Sequence, residues 1–82
     1  MQLTDTKKKE LTQKLLFSRL RILNDHAFYG MLLMNMKFSL DPDCPTAYTN
    51  AYKIAFSPTF LDELSPREVD FELMHDILHV VL

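Results

Sequence analysis

The sequence predicts a small α+β domain, and three observations carry that reading. A leucine-rich N-terminal segment repeats at the period of a helix, the middle of the chain is rich in alternating, β-branched and aromatic residues, and the segment from Ser65 onward pairs a helix-start signature with a helical apolar repeat. With 82 residues there is room for one core. A chain of this size buries only about 60% of the surface that its unfolded form exposes. The expected architecture is an N-terminal amphipathic helix, a small antiparallel sheet of about three strands, and a C-terminal helix, forming a single domain over residues 1–82.

From about Thr4 to Leu23, Leu11, Leu15, Leu16, Leu20, Ile22 and Leu23 fall on one broad helical arc, with Glu10, Lys14 and Arg21 opposite. Asn24 and Asp25 favour turns and close this helix, and the isolated His26 beside them reads as structural. Between Met31 and Leu40 the residues Met34, Met36, Phe38 and Leu40 alternate with Asn35, Lys37 and Ser39, the period of a strand with one buried face. The methionines Met31, Met34, Met36 and Met74 accordingly read as packing residues.

Two prolines in Asp41-Pro42-Asp43-Cys44-Pro45 require a loop. Thr46–Thr49 and Tyr52–Phe56 follow as two short strands, a hairpin turning at Asn50-Ala51. Ser57-Pro58 starts a short helical connector through Phe60, Leu61 and Leu64. Ser65-Pro66-Arg67-Glu68 then combines an N-cap serine, a proline at the first helical position and a glutamate placed to complete a capping box. A helix begins at Pro66 and runs to Leu82 with no stop signal.

On that helix Glu68, Glu72, His75 and His79 share one narrow stripe, and Val69, Leu73, Met74, Ile77, Leu78, Val80 and Val81 cover the other side. Ionisable groups on an otherwise apolar, buried helix are costly unless they pair or bind something. His75 and His79 lie four residues apart, one above the other, the spacing at which two imidazoles can converge on one metal ion. Asp76 follows the first histidine, so the pattern is His-Asp-x-x-His, with aspartate where zinc peptidases carry glutamate. In their arrangement the acid is not a ligand; it takes a proton from the attacking water and delivers it to the leaving amine.

Three stretches carry a family resemblance: Phe28-Tyr29-Gly30-Met31-Leu32-Leu33, Lys53 to Leu61, and above all Phe71-Glu72-Leu73-Met74-His75-Asp76-Ile77-Leu78-His79-Val80-Val81-Leu82. Together they resemble the zincin-like metallopeptidase domain that in bacteria often precedes a von Willebrand factor A-like domain. The resemblance implies Zn²⁺ as cofactor, His75 and His79 as its ligands, Asp76 in the general-base position, and a peptide or protein as substrate. It also implies that a sheet edge near residues 47–56 holds an extended peptide by β-addition, and that the chain corresponds to the N-terminal part of that domain, truncated at its C-terminal end.

Two departures bear on activity. Aspartate reaches about 1.5 Å less than glutamate, and a misplacement of about 1 Å can cost on the order of 100-fold in rate. A catalytic zinc also needs three protein ligands, which zinc peptidases of this pattern complete downstream of the second histidine. Within this chain Glu72, Asp41, Asp43, Cys44 or His26 would have to serve, and Glu72, best placed by helical phase, fits better as an acceptor for a histidine N–H. The expectation is an incomplete or inactive metallopeptidase-like domain.

The rival expectation is a metal-free interaction module, a homodimer or a partner's docking site, with the apolar C-terminal helix covered by the second chain. A weaker reading takes His75-Asp76 as an HD-type phosphohydrolase pair, which needs further His and Asp residues that the β-rich middle does not supply.

Composition narrows the setting. Apolar residues make up 48% and charged residues 24%, with one glycine, as in an ordinary folded domain. The single Cys44 permits no internal disulfide and reads as an incidental thiol, so a reducing, cytoplasmic setting is expected. No apolar run approaches the roughly 20 residues of a membrane span, and Lys7-Lys8-Lys9 leads into Glu10-Leu11-Thr12 rather than an export signal. Residues 1–25 hold six Lys/Arg against three Asp/Glu, and residues 26–82 three against eight. The basic leading helix carries interspersed acids and no nucleic-acid motif, so it reads as a solvated face rather than a nucleic-acid site.

Overall fold

A computed structural model describes residues 3–50 and 52–81, the side chain of Val81 excepted. Helix α1 spans Asp5–Asp25, and Thr4 caps it by accepting the Lys7 backbone N–H at 3.1 Å. Helix α2 is Ala27–Met34, strand β1 Lys37–Leu40, β2 Ala47–Thr49, β3 Lys53–Phe56, helix α3 Pro58–Glu63, and α4 Pro66–Val81. The α+β class holds, with four helices and a three-stranded sheet among the described residues.

The sheet is mixed, not antiparallel as expected. Its order is β1-β3-β2, with β3 parallel to β1 and antiparallel to β2. The expected hairpin is the β2–β3 pair, in which Tyr48 faces Ala55; Ala51 of its turn lies outside the described residues. Burial explains the central place of β3. Ile54, Ala55 and Phe56 are all fully buried, whereas the outer strands carry the exposed Lys37 and Tyr48. A strand apolar on successive positions, and so on both faces, belongs inside a sheet.

The strand expected over residues 31–40 is only its second half. Met31–Met34 belong to α2, whose apolar residues are consecutive rather than alternating. Leu33 is buried, but Met31 and Met34 are exposed, which corrects their reading as packing residues; Met36 is buried and Met74 packs at the core margin. His26 joins the two helices as a structural link, donating its N–H to the Ile22 carbonyl at 2.7 Å and accepting from Gly30 N at 2.9 Å. Gly30, the only glycine in the chain, makes the tight α1–α2 packing possible. A Cβ there would stand 2.2 Å from the Leu23 Cα.

On α1 the buried positions are Leu11, Leu15, Ser18 and Ile22, a narrower stripe than the sequence suggests, and Leu20 is exposed. They pack with Leu33, Met36, Ile54, Phe56, Leu61, Val69, Leu73 and Ile77. Leu78 is also exposed, which removes it from the buried face of α4. Leu82 and the Val81 side chain, assigned to that helix and its apolar side, lie outside the described residues.

Polar side chains on α1 fix its neighbours. Lys14 donates to the Leu61 carbonyl at 2.9 Å at the end of α3, and Lys7 pairs with Asp62 at 2.6 Å. Across to α4, Arg21 grips Asp70 through Nε to Oδ2 at 2.9 Å and its terminal nitrogen to Oδ1 at 2.8 Å, while the buried Ser18 hydroxyl donates to the same Oδ1. Partial burial pushes the Asp70 carboxyl up, but hydrogen bonds from Arg21 and Ser18 outweigh it and hold the group below its ordinary 3.8.

Gly30→Ala should therefore cost about 2 kcal/mol or more, as overpacking against rigid backbone does, read as a lower urea midpoint with an unchanged slope. Asp70→Asn should cost about 1–2 kcal/mol at pH 7, given the partly solvated pair. An acid whose folded value is depressed stabilises the fold above its unfolded value and loses that contribution as pH falls through the folded value. The wild-type and Asp70→Asn melting temperatures should thus converge as pH falls below the ordinary carboxylate range.

Candidate metal centre

The expected capping box forms. Glu68 N donates to Ser65 Oγ at 3.2 Å and Ser65 N to Glu68 Oε1 at 2.8 Å. These bonds hold the Glu68 carboxyl below its usual value. With the helix start fixed there and Val69, Leu73 and Ile77 buried, the stripe of Glu72, His75 and His79 faces a cleft of about 580 Å³. Strand β2 forms the opposite wall through Ala47, Tyr48 and Thr49, with Thr46 just before it, and Phe60 closes one side.

The two histidine rings converge. Their Nε2 atoms are 3.0 Å apart, with ring centroids at 4.6 Å and planes at 81°. A neutral pair satisfies this contact when one Nε2–H donates to the other nitrogen; two imidazolium rings cannot. A divalent cation can replace the shared proton. Zinc–nitrogen bonds of about 2.0–2.1 Å at a tetrahedral angle hold two nitrogens about 3.3–3.4 Å apart, so a small ring rotation separates the observed contact from shared ligation. Both rings are exposed, which corrects the expectation that the stripe lies on a buried helix.

Asp76 differs from its neighbours on the helix. It lines the same cleft but is buried, and its Oδ2 has no hydrogen-bond partner. Burial, then the nearby Glu72 charge, push its carboxyl up to about 6 against the smaller opposing effect of His75 and His79. Across the cleft the Thr49 hydroxyl is also buried and unpartnered. Thr49 escaped the sequence reading, because a threonine in a strand carries no signal of its own until the fold places it opposite an acid.

The third-ligand candidates do not assemble. Among the described residues no three His, Cys, Asp or Glu side chains are grouped to hold a metal ion. His26 lies in a different cavity beside Phe71 and Met74. Asp41 accepts the Asp43 N–H at 2.9 Å within its own loop, and the Cys44 thiol contacts the Thr46 carbonyl at 3.7 Å. Glu72 lines the cleft, yet the histidine nitrogens bond to each other rather than to it.

The sheet edge beside the cleft is β2 alone, narrower than the expected 47–56, because β3 is paired on both sides. Ser57 N donates to Thr46 O, and Asn50 N to Lys53 O. Hydrogen-bonded pairs alternate along an antiparallel ladder, so the N–H and C=O groups of Ala47 and Thr49 turn away from β3.

Residues 10–82, essentially the whole chain, match the family described as "Putative metallopeptidase domain". The chain belongs to this family. No curated protein and no solved structure matches it. The family description implies a metal, and the residues of this metallopeptidase-family chain fit one in part. Two imidazole nitrogens already converge and an unpartnered carboxyl oxygen lies on the same cleft, but among the described residues no group of three His, Cys, Asp or Glu side chains is assembled.

A buried carboxyl with a raised value favours the fold while protonated, and that contribution is lost as pH rises through the folded value. Asp76→Asn should therefore melt close to the wild type near pH 4 and higher at pH 8, by about 1–2 kcal/mol of unfolding free energy. Thermal melts across that range check it.

Proposed function

We propose that the chain carries the two-histidine portion of a zinc peptidase site, with His75 and His79 as ligands, Asp76 in the general-base position and an extended peptide as the substrate class. The convergence of the two Nε2 atoms at 3.0 Å supports the ligand assignment, because it brings the two ring nitrogens together at the cleft. His75 and His79 would hold the zinc, and the chemistry such an ion would supply is polarisation of a scissile carbonyl. Asp76, raised to about 6, exchanges a proton near neutrality, as a group alternating between base and acid must. The outward Ala47 and Thr49 backbone groups can hold a peptide as an added strand along the cleft wall. Two ligands bind zinc weakly, and turnover requires a third from outside the described residues. The reading is therefore of a metal-binding domain that is incomplete as a catalyst by itself, in a reducing, cytoplasmic setting.

One observation favours the metal-free alternative. Phe71 and Leu78 are exposed on the outer side of α4, a surface that a second chain could cover while the histidines satisfy each other. Zinc titration by calorimetry separates the two readings. The wild type should take up one ion per chain, reversibly with chelator; His75→Ala/His79→Ala should abolish uptake, and Asp76→Asn should retain it. Unchanged uptake by the double variant, with its helical circular dichroism intact, would remove the site assignment.

A further inference from the structure

The second groove of the molecule lies on the opposite edge of the sheet, away from the histidines. It has a volume of about 310 Å³ and runs between α1 and β1, bordered by Lys8 and Arg19 from the helix and by Phe38, Ser39 and Leu40 from the strand. Among the described residues, strand β1 is an edge strand whose only neighbour is β3. Lys37 N donates to Tyr52 O and Asp41 N to Phe56 O, so the odd-numbered residues of β1 face β3. The N–H and C=O groups of Phe38 and Leu40 consequently point to the free edge.

Arg19 is the unusual member of this groove. Its guanidinium lies over the Phe38 ring at 4.3 Å from the centroid. Its Nε is buried and has no hydrogen-bond partner among the described residues. Three other cations of α1 are engaged: Arg21 holds Asp70, Lys7 holds Asp62, and Lys14 holds the Leu61 carbonyl. Among the described residues no acid lines the α1–β1 groove. Exposed strand edges invite pairing, and proteins usually blunt or cover them. Here a free edge lies beside a desolvated guanidinium donor that lacks an acceptor.

We propose that this groove docks an acidic, extended segment of a partner protein, which adds to the free edge of β1 and places its carboxylates on Arg19 and Lys8. The strand supplies sequence-independent main-chain bonds, and the two cations supply selection for acidic residues. A second copy of this chain fits poorly. Pairing β1 with itself would bring two sets of Arg19 and Lys8 together, and like charges across a strand pair repel.

The test uses the full 82-residue chain and two fluorescein-labelled octapeptides, one alternating Thr and Glu, the other alternating Thr and Lys. Fluorescence anisotropy should show saturable binding of the Glu peptide that weakens with salt, and none of the Lys peptide. Arg19→Met should weaken binding by at least about tenfold, the usual scale for a charge-assisted hydrogen bond. Lys8→Glu, at an exposed position with no core contact, should weaken it as well and serves if Arg19→Met fails to fold. Amide exchange should slow at Phe38 and Leu40 in the complex. Absence of binding, equal affinity for the Lys peptide, binding indifferent to Lys8→Glu, protection at Ala47 and Thr49 instead, or a dimer that already protects Phe38 and Leu40 without peptide would each overturn the proposal.

Discussion

A helix that must bury Val69, Leu73 and Ile77 has no freedom in where it points His75 and His79. The rotation of α4 is set by that apolar face against α1 and the sheet, and by the Arg21–Asp70–Ser18 contacts that tie the two helices along their length. With rotation fixed, the i, i+4 geometry stacks the two imidazoles, and the 100° step from His75 brings Asp76 to the border between the buried face and the stripe. The arrangement at the cleft is thus a consequence of core packing, and changes at the α1–α4 contact reach the histidines without touching them.

Burial then sorts chemically similar groups into different states. Asp70 and Asp76 lie on the same helix, yet one is held below its ordinary value by a bidentate arginine and the other is pushed up to about 6 in a wall without partners. The first contributes to the fold while ionised. The second is costly to ionise and sits with the unpartnered Thr49 hydroxyl across a cleft. The unsatisfied buried atoms of the described residues lie at the two concave places, Asp76 and Thr49 at the cleft and Arg19 at the α1–β1 groove, as the general trade between stability and function leads one to expect.

The sheet divides the surface in the same way. Because β3 is the strand that buries three successive residues, it takes the centre, and β1 and β2 become the two free edges. One edge borders the histidine cleft and the other a groove with two cations. Each edge has main-chain groups turned outward, and the side chains beside them give the two edges opposite electrostatic character.

The local elements were legible in the sequence because their signals are local. The Ser65–Glu68 capping box, the proline punctuation, the β2–β3 hairpin and the shared face of His75 and His79 depend on residues within ten positions of one another. What the sequence left open depends on distant partners. The Met31–Met34 run is compatible with strand or helix, and the packing of Gly30 on Leu23 decided for helix. Hairpin chemistry defines the β2–β3 pair but not the parallel insertion of β3 beside β1, which follows from where its two apolar faces find cover. The same holds for Ser18 and Thr49. By itself the sequence determined the starts of α1, α3 and α4 and the shared face of the two imidazoles, since these follow from backbone period and capping. Only tertiary structure decided the sheet order, the burial of Asp76, the exposure of the histidines and the walls of the cleft, since these depend on which distant surfaces exclude water together.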